Sequence, residues 1–185
     1  MTAKIMIIRH AEKPTDPGVS SEFDGISSNG QLNSEELIVR GWQRSGGLVR
    51  LFAPRDGHFV DPHLATPQTI FASGIGHRSK SLRPQHTVLE LATLLGLQLE
   101  TRFLKDDFAD MVPTAVAADG IVLIAWEHED IPAIANLILG NSTTVPQQWP
   151  GQRFDIVWVF DRQGSGWSFS QVPQLLLSGD SSQPI

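Results

Sequence analysis

Arg9 and His10 stand directly after the apolar run Ile5-Met6-Ile7-Ile8. A neutral imidazole can act as a nucleophile, and a guanidinium beside it can fork onto two oxygens of a phosphate or carboxylate. Taken alone, the pair is equally a polar closure of a strand. Two more apolar runs end in the same manner. Thr69-Ile70-Phe71-Ala72 is followed by Ser73 and then Arg83, and Ile121 to Trp126 by Glu127 and His128. Two imidazoles and two arginines suit phosphoryl transfer through a phosphohistidine. Arginine keeps its charge at any ordinary pH, one imidazole nitrogen attacks phosphorus in line, and the second donates a proton to the equatorial oxygens. No step of that chemistry asks for a metal or another cofactor. His128, Glu129 and Asp130 are adjacent and lack the two-histidine spacing of a helical metal motif, so no metal site is expected there.

For these residues to meet, the three runs must be strands of one parallel sheet. Ile5 to Ile8 reads as a strand buried on both faces, and ligands of α/β proteins collect at the carboxyl ends of such strands. Pro14 to Leu37, rich in Gly, Ser, Asn, Asp and Pro, is expected as a surface loop near that exit. A helix follows from about Leu37 or Gly41 to Phe52, with Gly46-Gly47 allowing close packing on the sheet. After a loop from Pro54 to Pro67 comes the strand Thr69 to Gly74, then a polar stretch from Ile75 to Leu82. Arg83 opens a helix through Leu95, with Pro84 in its first turn and Gly96 as a stop. Gln98 to Phe103 fits an edge strand, Met111 to Ala118 a short helix, Ile121 to Trp126 a buried strand and Ile131 to Leu139 a helix packed on it. Phe154 to Phe160 and Trp167 to Val172 form a closing pair joined by the turn Gln163-Gly164-Ser165-Gly166. Strand and helix alternate, which predicts a three-layer α/β/α sandwich with a mostly parallel central sheet. Residues 1–178 are expected to form a single domain, and 179–185 a flexible tail.

Composition narrows the setting. The chain has 185 residues, 41% of them hydrophobic, enough for one sizeable core and few for two domains. A formal charge of -6 argues against a nucleic-acid partner, whose affinity would rest on clustered Lys and Arg. With no cysteine, disulfides, thiolate nucleophiles and cysteine-ligated metals drop out. Met1-Thr2-Ala3-Lys4 passes straight into a strand, and no stretch reaches the length of a membrane span, so a cytoplasmic protein with no membrane partner is expected.

Four landmarks in order carry a family resemblance. Arg9-His10-Ala11-Glu12 closes the first strand; Leu37, Gly41 and Ser45 follow a Leu-x-x-x-Gly-x-x-x-Ala-like helix pattern. Ser73 ends a strand before Arg83-Pro84-Gln85-His86-Thr87, similar to Arg-x-x-Gln-Thr with His86 in the glutamine position; and His128 follows a later strand. Over roughly residues 4 to 140 the chain resembles the histidine phosphatase superfamily, with its phosphoglycerate mutase-like fold. That resemblance implies His10 as the residue transiently phosphorylated, Arg9 and Arg83 as phosphate clamps, and His128 as the second pocket histidine. It also implies a carboxylic acid for the leaving group. The mutase branch places a glutamate in a Leu-x-Glu segment, to which Leu104-Lys105-Asp106 is nearest, so Asp106 leads, with Asp107 and Asp110 close behind. The acid-phosphatase branch uses an aspartate directly after the second histidine, where this chain has Glu129.

The departures from the pattern shape the remaining expectations. Where the family often has Ser or Thr before the second histidine, this chain has Glu127, a carboxylate that would repel a phosphate dianion unless turned away or paired. The long gap from Ser73 to Arg83 carries His77, Arg78 and Lys80. Lys80 is read as a cationic contact for a second anionic group of the substrate, while Glu12 and Glu129 are read as substrate contacts from the strand exits. The expected activity is a metal-independent phosphatase acting on a small-molecule phosphate ester or on phosphohistidine of a protein. A phosphomutase of the same fold, or a module that binds a phospholigand without turnover, is the alternative. A mutase usually asks for a covering insertion, which this chain length leaves little room for.

Overall fold

A computed structural model describes residues 2–14, 24–77 and 79–185. The elements come in the order β1 (Thr2–Arg9), α1 (Val39–Phe52), β2 (Thr69–Ala72), α2 (Arg83–Leu95), β3 (Leu99–Glu100), a 3-10 turn at Lys105–Asp107, α3 (Phe108–Ala117), β4 (Gly120–Trp126), α4 (Ile131–Leu139), β5 (Ile156–Gln163) and β6 (Gly166–Pro173). The sheet order is β3-β2-β4-β1-β5-β6. β3, β2, β4 and β1 run parallel, and β5 and β6 are antiparallel to their neighbours. This is the expected three-layer sandwich on a mostly parallel sheet.

Side-chain alternation along the central strands builds two cores. Ile5, Ile7, Val122, Ile124 and Trp126 face α3 and α4, meeting Met111, Ala115, Ile131 and Ile134. Met6, Ile8, Leu123 and Ala125 face the other way, onto Leu48 and Phe52 of α1 and Val88 and Leu91 of α2. Because β1 and β4 are covered on both sides, they read as unbroken apolar runs rather than alternating ones. The helix ends follow local chemistry. Pro84 and Pro132 sit in the first turns of α2 and α4, where a missing N–H costs nothing, and Gly96 and Gly140 close those helices in the left-handed conformation at φ 67° and 70°. Among the described residues no helix is long and apolar enough to cross a membrane.

Three sequence expectations change. Helix α3 starts at Phe108 and keeps Pro113 inside it. The close approach of α1 to the sheet comes at Gly41, where a Cβ would lie 2.5 Å from the Glu12 carbonyl oxygen; Gly46 faces open space and Gly47 packs on Leu176. The tail is docked as well. Asp180 pairs with Arg44 at 2.8 Å, the Ser181 N–H donates to Asp155 at 2.6 Å, and Ile185 exchanges hydrogen bonds with the Gln171 amide at 2.9 and 2.7 Å.

Candidate active site

Sheet topology makes the crevice. The chain leaving β1 turns to the face covered by α1 and α2, while the chain leaving β4 turns to α4 on the opposite face. Strand exits that part in this way open a cleft at the carboxyl edge. β5 runs antiparallel to β1, with Ile8 opposite Val157, so the segment before β5 enters the sheet at that same edge. Residues 147–155 therefore lie beside the exits of β1 and β4.

His10 is buried to 3% exposure at the centre. Its Nδ1 lies 2.7 Å from the Ala11 carbonyl oxygen. A carbonyl can only accept, so Nδ1 carries the proton and Nε2 keeps a free lone pair. Burial pushes the His10 pKa well below the usual imidazole value, the charges of Arg9, Arg83 and His128 push the same way, and the Ala11 hydrogen bond opposes them. The net result is a neutral, oriented imidazole. Thr87 holds this turn in place: its hydroxyl donates to the Arg83 carbonyl at 2.7 Å and accepts the Ala11 N–H at 2.8 Å. It thereby ties the first turn of α2 to the exit of β1. The sequence offered Thr87 as part of a pattern but gave no sign of this positioning role.

The cationic residues surround His10. Arg9 is 1% exposed; its guanidinium lies 3.8 Å above the Phe154 ring, and its Nη1 donates to the Gly151 carbonyl. The Phe154 ring is also 6.1 Å from the His10 ring. Arg83, in the first turn of α2, donates to the Ser34 carbonyl at 3.0 Å. His128 stands after β4, and a Cβ on Gly151 would come within 3.8 Å of its Nε2. The Gly151 turn separates two hollows. One of about 560 Å³ is bounded by Lys13, Arg40, Gln152, Phe154 and Ser181, and one of about 410 Å³ by His128, Glu129, Trp149 and Gly151. Phe154, expected as the first residue of a strand, precedes β5 and covers Arg9 instead.

Other sequence candidates land elsewhere. Glu12 is buried in the wall of the larger hollow, and its carboxylate is taken up by Arg44 at 2.8 Å and Arg40 at 3.2 Å, so it braces α1. Lys80 is exposed on the loop before α2, and Arg78 lies outside the described residues, as does 15–23 of the first long loop. Asp106 is exposed in the 3-10 turn, and the Asp107 carboxylate caps that turn by accepting the Leu104 N–H at 3.0 Å. The Glu129 side chain is 65% exposed, 3.9 Å from the His128 Nδ1. Glu127 differs from Asp106 and Glu129 in being buried. It is 7% exposed, its Oε1 accepts the Ser73 hydroxyl at 2.9 Å, and its Oε2 is buried without a hydrogen bond among the described residues. Burial raises its pKa and the charge of Asp130 adds to this, against the Ser73 hydrogen bond and the Lys105 charge.

No family model and no curated protein matches the chain. Solved structures do. The chain is similar to the protein histidine phosphatase SixA complexed with tungstate, at 14% identity and a TM-score of 0.54, covering 92% of this chain and 97% of that one. It is similar to an Entamoeba histolytica phosphoserine phosphatase mutant in complex with phosphoserine, at 10% identity and a TM-score of 0.56, covering 96% and 100%. It also resembles the mycobacterial glucosyl-3-phosphoglycerate phosphatase, at 11% identity and a TM-score of 0.52, covering 92% and 97%. Likeness over nearly the full length of each, with the strand order described above, means that this chain has the fold of these phosphatases, the phosphoglycerate mutase-like α/β fold.

Proposed function

We propose that the protein is a metal-independent phosphatase that hydrolyses a phosphomonoester, or phosphohistidine of a protein, through a phosphohistidine on His10. One observation carries the reading: a buried imidazole, with Nδ1 held by the Ala11 carbonyl, is kept neutral amid the charges of Arg9, Arg83 and His128. A site that disfavours imidazolium while concentrating positive charge suits a dianionic phosphoryl group and a nucleophilic nitrogen. In the first step the His10 Nε2–P bond forms as the ester P–O bond breaks. Arg9 and Arg83 clamp the equatorial oxygens, and His128 donates a hydrogen bond to them. In the second step water attacks phosphorus and the N–P bond breaks, releasing inorganic phosphate. The organic part of the substrate lies in the hollow beside Phe154 or in the one beside Glu129, where Glu129 would touch it. Lys80, exposed on the loop before α2, would serve a second anionic group of the substrate.

Turnover of p-nitrophenyl phosphate in the presence of a chelator, parent against His10→Ala, tests this. Turnover should persist in chelator and fall by at least about 1000-fold in the variant, as expected for loss of a nucleophile. Activity that survives the substitution would sink the mechanism. Activity abolished by the chelator would replace it with a metal-dependent one.

A further inference from the structure

We infer that Glu127 is the acid that protonates the leaving oxygen when His10 is phosphorylated, in place of Asp106 or Glu129; this rests on the phosphatase reading above. Arg9 pairs with Trp126, and the His10 N–H closes that last pair of the parallel ladder by donating to the Trp126 carbonyl at 3.0 Å, so His10 and Glu127 are the first residues beyond the ladder on two neighbouring strands. Neighbouring strands lie about 4.8 Å apart, so the two chains leave the sheet side by side. Glu127 is thus a buried carboxyl that starts from the strand exit next to that of the nucleophile.

Its two oxygens have different surroundings. Oε1 accepts the Ser73 hydroxyl, and Ser73 is in turn held at its carbonyl by the Gln85 side chain at 3.2 Å, so the group is anchored from β2 and α2. Oε2 is buried with no hydrogen bond among the described residues. A buried, unsatisfied carboxyl oxygen is costly unless it is protonated or meets a partner that arrives with the ligand. A leaving oxygen is such a partner. The groups acting on Glu127 are Ser73 at the exit of β2, Asp130 from its own turn and Lys105 from the 3-10 turn, and burial with Asp130 outweighs the Ser73 hydrogen bond and Lys105 in favouring the protonated form. Asp106 and Glu129 are exposed, and their negative charges help to raise the pKa of Asp130, the nearest acidic neighbour of Glu127.

The proton balance is complete with this one group. As the His10 Nε2–P bond forms and the P–O bond breaks, the Glu127 Oε2 proton passes to the departing oxygen and yields the free alcohol. Glu127, now a carboxylate, takes a proton from the attacking water in the second step and is restored.

The test uses leaving groups of graded quality, since only a poor one needs the proton. For Glu127→Gln, kcat/KM should fall by at least about 100-fold with phenyl phosphate and by no more than a few-fold with p-nitrophenyl phosphate, the range expected for a general acid. The parent should lose kcat/KM on the alkaline side as Glu127 ionises, and the variant should lack that limb while keeping the acid limb of His10. Asp106→Asn and Glu129→Gln should leave the ratio between the two substrates as in the parent. Equal losses of Glu127→Gln on both substrates, or an alkaline limb that survives it, would overturn the assignment and leave Glu127 a structural brace. If His10→Ala turns over p-nitrophenyl phosphate as fast as the parent, the phosphatase reading fails first and the acid assignment falls with it.

Discussion

At the scale of single residues the protonation state of His10 decides what this site can do. At pH 6.5 its imidazole is neutral where an exposed histidine would be half charged, because burial and three neighbouring positive groups disfavour a further cation. The acid limb of kcat/KM should therefore lie below pH 6.5. Arg9→Met should move the His10 titration, followed by NMR, to higher pH by removing the strongest of those charges. The same shift links to stability. The folded value is depressed, so the unfolded chain binds more protons below pH 6.5, and stability present above that pH is lost as pH falls through the folded value. The slope should reach about 1.4 kcal/mol per pH unit, and His10→Gln should remove it in denaturant titrations at several pH values.

At the scale of elements the site depends on how closely α1 approaches the exit of β1. Gly41 permits that contact, and a methyl group there would lie 2.5 Å from the Glu12 carbonyl oxygen and 3.1 Å from its nitrogen. Gly41→Ala should cost about 1–3 kcal/mol in unfolding free energy, as overpacking does, and lower turnover by shifting the turn that carries His10. Gly46, on the same helix, has nothing within 4 Å of where its Cβ would be. Gly46→Ala should raise stability by about 0.5–1 kcal/mol with no change in activity, because it only restores helix propensity. The sequence treats these glycines alike, since each is a flaw in a helical pattern. Only the packed neighbour distinguishes a required glycine from a dispensable one.

At the scale of the whole molecule, residues far apart in the chain close on a single buried charge. Arg44 receives Glu12 from β1's exit at 2.8 Å, Asp180 from the tail at 2.8 Å and the Gln174 amide oxygen at 2.9 Å. Burial works against the Arg44 charge, yet hydrogen bonds to Asp180 and Glu12 hold its pKa above the usual value. Burial also works against the Asp180 charge, but hydrogen bonds from Arg44 and from the Leu177 and Leu176 N–H groups leave its pKa lowered. Removing one member of a buried ionic pair costs about 3–5 kcal/mol, since it strands the other. Asp180→Ala, or truncation after Ser178, should lose stability on that order in chemical unfolding, with Glu12 keeping the loss toward the lower end. A frayed tail would give no loss at all.

The sequence by itself determined the parts that follow from local chemistry. Apolar runs buried on both faces marked β1, β2 and β4, prolines and glycines marked where α2 and α4 begin and end, and polar residues after each run pointed to Arg9, His10, Arg83 and His128. These signals are short-range, so one chain suffices to read them. The tertiary structure decided what depends on direction and on distant partners. It tied Glu12 to Arg44, docked the tail, brought Gly151 and Phe154 onto Arg9 because β5 runs antiparallel, and buried Glu127 at the strand exit beside that of His10 with one oxygen on Ser73. Nothing in spacing along the chain reports which way a carboxylate points after a strand ends. That depends on the register of a neighbour more than a hundred residues away in sequence.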